Sequence, residues 1–327
     1  MKFRNKIRYF FIKHPSIGHV CRYFYSSIFK RNRLEKSINF GKLNADKIIY
    51  VIRPDSEDGI QGLMSLFIQV MRKIDYANKM DYIPYVDFKN YNTQYSDGKN
   101  NAWEFFFSQP SLLEYSEVYN SKNVILSGLR LKKLENDTLY KDTIFFDNEL
   151  CVKCNKIIID NINFSKEVEE ILSREIRIIS PKNCMGVYLR GTDYTALKPT
   201  GEHIQPQIDK VIEEMKKMNR KNPELNFFLV TEDEAIYSEI KLVFNDKIKI
   251  VSFDKFIAGY DSKVFLSESD LLDKDRKRRG IEYLVKLVIL SKCQYLISSI
   301  TMGSIATYAL NGNKYTGNCI FDLGIYK

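Results

Sequence analysis

A chain of 327 residues with 44% hydrophobic and 28% charged side chains has material for about two globular cores. Its formal charge of +9 sits at one end: residues 1–36 hold ten lysines and arginines against Glu35, so residues 37–327 carry 40 charges of each sign. A balanced body argues against nucleic acid as a partner, because a nucleic-acid-binding domain carries its basic excess on the folded surface.

In the leader, 1–36, basic residues such as Arg4, Lys6 and Arg8 interleave with Phe3, Ile7, Tyr9 and Phe10. That mixture suits a segment lying among the headgroups of an anionic membrane leaflet. Its longest apolar runs are about four residues, far short of the ~20 that span a bilayer, and no export-signal core is present. The expectation is a cytoplasmic body, peripheral on the inner face of the plasma membrane. The plainer alternative is an amphipathic helix packed on the body.

From residue 47 onward, β-rich runs alternate with helix-period runs. Residues 47–52, 82–88 and 123–128 read as strands, with 142–147 as a further one. A helix follows the turn at 53–59, and another begins after an N-cap at Ser165. The second half is cleaner. Strands are expected at 184–189, 226–231, 248–253 and 295–299, and helices at 205–220, 233–244, 280–293 and 303–311. Strands and helices of these lengths in alternation imply parallel sheets covered on both faces. The boundary falls near Pro181, giving an N-terminal α/β domain over 37–180 and a C-terminal Rossmann-like domain over 181–327.

The six cysteines read as reduced thiols. Cys184 and Cys293 lie in apolar runs and read as core. Cys151 and Cys154 form a lone C-x-x-C without the second pair or histidines that a zinc site needs, so no metal is expected.

Open parallel sheets bind ligands beyond the C-terminal ends of their strands. That rule selects 190–206, 231–233 and 298–304, all polar and all directly after an apolar run. In "GVYLRGTDY", 186–194, Arg190 arrives at a strand end where its planar donors match a diphosphate. Asp193 accepts from Arg190 or from a sugar hydroxyl; the plainer alternative is an Arg–Asp pair that braces the loop. Ser298, Ser299, Thr301 and Ser304 precede or open the last helix, where backbone amides and the helix dipole favour phosphate, or serve as simple N-caps. In the first half, Gly59 and Gly62 in "RPDSEDGIQG" either bring a helix start close to a ligand or pack a tight loop. Trp103 reads as core, and His203 as a loop histidine on a cleft lip over 198–206. "KDRKRRG", 274–280, reads as the solvated start of a helix or a second anionic contact.

The segment 186–194 resembles the H-x-R-R-x-D signature of the fucosyltransferase superfamily, which includes the α-1,2 enzymes, the α-1,6 enzymes with their nodulation relatives, and the protein O-fucosyltransferases. Arg190 takes the place of the first arginine and Asp193 that of the aspartate. Tyr188 stands where the family often has histidine, and Gly191 replaces the second arginine. "FFLVTEDEAIYSEI", 227–240, is similar to the second motif, with Thr231, Glu232 and Asp233 as candidates to read a guanine edge or its ribose. The segment 287–310 is similar to the third motif, with its Ser/Thr turn.

The resemblance implies a GT-B-like fold, two Rossmann-like domains facing a cleft, and an inverting transferase that works without a metal or other cofactor. GDP-fucose is the implied donor, and Tyr188, Arg190, Thr231, Asp233, Ser298, Ser299, Thr301, Ser304, Gly59 and Gly62 are its contacts. Arg190 neutralises the departing diphosphate. A base, if one is used, is Glu57, with Asp58 and Asp193 behind it. A lipid-linked glycan for surface polysaccharide would suit a membrane-surface enzyme. Two rivals stand beside this reading: a transferase for another nucleotide sugar on the same fold, and a non-catalytic glycan-binding or membrane-scaffold protein.

Overall fold

Short apolar runs pair into two sheets in the computed structural model, which describes residues 34–55, 61–128, 142–260, 263–266 and 269–327. The leader as far as residue 33, together with Glu57, Asp58 and Gly59, lies outside the described residues.

The first sheet has β1 (Lys36–Ile38), β2 (Ile49–Ile52), β3 (Ile83–Val86) and β4 (Val124–Leu126) in the order β1-β4-β2-β3. β2 pairs in parallel with β3 and β4, and β1 closes one edge antiparallel to β4. α1 (Leu63–Lys79) covers one face, and the single turn α2 (Tyr115–Val118) contributes Val118 to the other. Alternation along β2 sorts the layers: Tyr50 and Ile52 face α1, while Ile49 and Val51 face the cluster with Val118.

Two helices then lead to the second sheet. α3 (Asn148–Asn161) is N-capped by Asp147, and α4 (Lys166–Ile179) by Ser165, whose hydroxyl accepts from the Val168 amide. The second sheet is wholly parallel. It comprises β5 (Cys184–Tyr188), β6 (Asn226–Val230), β7 (Ile248–Lys249), β8 (Tyr295–Ser299) and β9 (Gly317–Phe321), in the order β7-β6-β5-β8-β9. Between β5 and β6 lie α5 (Thr192–Leu197) and α6 (Ile208–Lys221); α7 (Glu234–Phe244) follows β6. α8 (Arg276–Leu290) precedes β8, and α9 (Met302–Asn311) links β8 to β9. Met185, Val187 and Leu189 pack toward α6 and α7, whereas Cys184 and Tyr188 pack toward α8 and α9.

The larger apolar cluster is continuous across both halves. α9 packs against α1, α3 and α8, so the helix that follows β8 is also the floor of the first half. No helix among the described residues is long and apolar enough to cross a membrane.

Two expectations need correction. Residues 142–147 are not a strand: Asp142–Phe145 is a 3-10 turn, and its Phe145 ring lies 5.1 Å from Tyr308 of α9. Only Ile248–Lys249 of 248–253 pairs, because the chain turns away where Asp254 accepts from the Val251 amide. Cys151 and Cys154 sit on α3 and are fully buried, with Cys151 Sγ donating to the Tyr308 carbonyl at 3.3 Å. Trp103 is core, 1% exposed, with Nε1 donating to the Ser108 carbonyl.

Candidate active site

The chain order of the second sheet reverses beside β5: β6 and β7 extend to one side of it, and β8 and β9 to the other. Doubly wound sheets place their ligand crevice at such a switch point, outside the strand C-termini. Two segments flank it here, the loop after β5 that carries Arg190 and the start of α9.

Arg190 is held by carboxylates. Its Nε donates to Glu232 Oε1 at 3.3 Å, its Nη2 donates to Asp193 Oδ1 at 3.2 Å, and its guanidinium lies 4.5 Å from the Tyr194 ring centroid. The side chain is 21% exposed, so it is fixed by neighbours yet open to the crevice. Burial alone would lower its pKa, but Glu232, the tyrosines 188 and 194, and Asp193 together raise it well above the ordinary value.

The loop is built around Arg190 by the same acids. Glu232 Oε1 also accepts from the Gly191 amide and the Thr192 hydroxyl, both at 3.0 Å. Asp233 Oδ2 accepts from the Thr192 amide at 3.0 Å, while Oδ1 caps α7 through Ala235 and Ile236. These bonds hold Thr192 at φ 42°, a costly conformation for a β-branched residue. Gly191 is required: a Cβ there would lie 2.6 Å from the Asp233 Cβ. The space that a second arginine would need is therefore filled by Asp233.

Several expected contacts turn out to be committed elsewhere. Asp233 uses both oxygens on the loop and the cap. Thr231 Oγ1 accepts from the Asp233 amide. Asp193 is 3% exposed and accepts from Arg190 and the Leu266 amide, so it braces the loop. Thr301 and Ser304 close a capping box on α9: Thr301 Oγ1 accepts from the Ser304 amide, and the Ser304 hydroxyl accepts from the Thr301 amide. The Ser299 hydroxyl donates to Gln205 Oε1, and the Ser298 hydroxyl to the Ser299 carbonyl. Among the described residues, the first two backbone amides of α9, Met302 and Gly303, have no hydrogen-bond acceptor.

Tyr188 meets this helix end through its hydroxyl, 2.9 Å from that of Tyr283. Gly62 is the N-cap of α1, with open space where a Cβ would be, so no packing demands a glycine there. His203 lies on the lip, which is pinned to the C-terminal segment by a bridge to Ile325. A cavity of about 200 Å³ opens beside the loop, lined by Arg190, Gly191, Pro206, Asp233, Ala235 and Glu239 among others. Sequence reading passed over Glu239, Tyr194 and Tyr283. Glu239 lies two helical turns beyond the "TED" segment and could have been found by projecting α7 back to that strand end. Tyr283 is 95 residues from Tyr188 and only the fold joins them.

No protein-family model matches the chain, and no curated protein matches it. Among solved structures, it is similar to the fucosyltransferase NodZ from Bradyrhizobium, with 13% identity, TM-score 0.47, and coverage of 85% of this chain and 96% of that one. It is also similar to POFUT1 in complex with GDP, with 8% identity, TM-score 0.46, and coverage of 84% and 98%. A third similar structure is a mutant of Arabidopsis thaliana FUT1 in complex with GDP, with 10% identity, TM-score 0.44, and coverage of 83% and 69%.

Proposed function

We propose that the chain is a glycosyltransferase that moves fucose from GDP-fucose to a glycan acceptor, with inversion and without a metal. The observation that carries this reading is the placement of Arg190 and the open first turn of α9 on the two sides of one switch point. A diphosphate there meets a guanidinium with donors still unspent and the positive end of a ten-residue helix.

The nucleoside extends into the cavity below Arg190. Glu239 has no side-chain hydrogen bond there among the described residues and suits the N–H edge of guanine. The acceptor hydroxyl attacks the anomeric carbon, the bond to the β-phosphate oxygen breaks, and its electron pair leaves on GDP. Arg190 and the α9 amides stabilise that developing charge. The hydroxyl proton goes to Glu57 or Asp58, whose segment leads into α1. Residues 37–180 serve the acceptor and 181–327 the nucleotide. The basic, aromatic leader holds the enzyme on an anionic membrane, where a lipid-linked glycan is the acceptor.

Thermal shifts with GDP and UDP, followed by GDP release from GDP-fucose with candidate acceptors, test this. Saturation at 100 times Kd stabilises by about 2.7 kcal/mol, so GDP should raise Tm by several degrees and UDP should not. A larger shift with UDP would transfer the reading to another sugar nucleotide. No shift with either would end the enzyme proposal.

A further inference from the structure

With Gly191 in place of a second arginine and Asp233 filling its space, Arg190 is left as the one guanidinium of the loop. A second donor is assembled nearby from different residues. The Tyr188 ring leaves β5 on the α8 and α9 side, and its hydroxyl meets that of Tyr283, which projects from the middle of α8. Both phenols rest on the first turn of α9. A Cβ on Gly303 would come within 2.6 Å of the Tyr188 hydroxyl and would overlap that of Tyr283. The hydroxyl pair therefore lies against the same turn whose amides are open.

Two phenols carry two O–H hydrogens, and the bond between them uses one. Among the described residues, neither hydroxyl has another hydrogen-bond partner. Tyr188 is 2% exposed, whereas Tyr283 is only partly buried. Either hydroxyl can donate in that bond; with Tyr188 as the donor, the hydrogen of Tyr283 is left for a further acceptor. Arg190 stands close enough to interact electrostatically with both phenols.

We propose that Tyr283 donates a hydrogen bond to a phosphate oxygen of the nucleoside diphosphate bound at Arg190, and that Tyr188 is the positioning residue that aims it. This rests on the nucleotide-binding reading above. The pair replaces a charged donor by a neutral one and adds directionality. Burial, then Tyr188, keeps the Tyr283 phenol well above its ordinary pKa against the pull of Arg190, so it remains a donor at neutral pH.

Calorimetric titration of the full-length protein with GDP, guanosine and inorganic pyrophosphate decides it, on the wild type, Tyr283→Phe, Tyr188→Phe and the double variant. Tyr283→Phe should weaken GDP and pyrophosphate about tenfold and leave guanosine unchanged, which a merely structural role would not do. Tyr188→Phe should weaken GDP by about threefold and add nothing in the Tyr283→Phe background. Wild-type affinity for GDP in Tyr283→Phe, or an equal loss of guanosine, would overturn the assignment while leaving the nucleotide reading intact. A wild type that binds neither GDP nor UDP would overturn both. If UDP is the nucleotide bound, the same comparison with uridine carries the decision.

Discussion

Each half of the molecule sets an arginine just past the C-terminal end of a buried, central parallel strand, Arg53 after β2 and Arg190 after β5, yet the two are bonded in opposite ways. Arg53 is 8% exposed and gives Nε and Nη2 to the Ser127 carbonyl, at 2.9 and 2.5 Å, with Nη2 also 3.4 Å from the Leu34 carbonyl. Its own carbonyl accepts from buried Lys73. It stitches β2 to the ends of β4 and to the segment before β1. Arg190 is bound instead by two carboxylates at longer range and keeps an open side. Position at a strand end is thus not enough to mark a site. An arginine spent on carbonyls is a strut, whereas one held by acids on one side and exposed on the other is poised to exchange partners.

Replacing each arginine should separate the roles most sharply. Arg190→Ala should lower kcat/KM by about 10²–10³ and erase the Tm rise caused by GDP, and it should also lower the melting temperature of the apoprotein, because Asp193 and Glu232 lose their cation. Arg53→Met should cost about 3 kcal/mol of stability, read by urea unfolding, with the KM for the donor retained in the protein that remains folded. The reverse pattern would break the comparison.

A smaller effect is expected at the loop that aims Arg190. Gly191→Ala drives a methyl group into Asp233 and should destabilise by about 1–3 kcal/mol, with a loss of GDP affinity of about tenfold; melting and calorimetry measure the two. Unchanged binding would show that the loop tolerates movement.

Glu175 of α4 is a framework acid to set against the site acids. It accepts from the Ser252 amide at 2.8 Å and the Ser252 hydroxyl at 2.6 Å. Burial pushes its pKa up, but the Ser252 bonds and Arg174 outweigh that and leave it below the ordinary value. Its contribution is therefore complete above about pH 4.3 and is lost as pH falls through the lower folded value. Glu175→Gln should cost about 1 kcal/mol at neutral pH and flatten the acid limb of the Tm–pH curve, without moving the pH profile of turnover. Smallest of all, Cys184, with its thiol pushed up to about 11, and Cys293, pushed up by burial, should escape alkylation at pH 7.5 until the chain unfolds; mass spectrometry reads this directly.

Much of the fold was legible because apolar runs and caps coincided, as at Cys184–Tyr188 and at Lys166–Ile179 after Ser165. Asn148–Asn161 went unread although its signals were present: Asp147 capping Leu150, and Cys151, Cys154 and Ile158 on one face. A C-x-x-C spacing is also the i, i+3 spacing of one helical face. Gly317–Phe321 was missed because an edge strand need not be apolar. Arg190 and Asp193 could be read as a pair from their strand-to-loop setting. The committed state of Thr301, Ser304 and Asp233 could not, since it depends on which amides the turns leave open. Tyr283 could not be read at all, because its meaning comes from a contact between α8 and β5.

α9 has no idle face. Of its ten residues, Gly303 to Ala309 and Asn311 are buried, pressed by α1, α3, α8 and the two phenols. A saturation scan of this decapeptide would find almost no silent positions, and its sequence should drift more slowly than that of the other described helices.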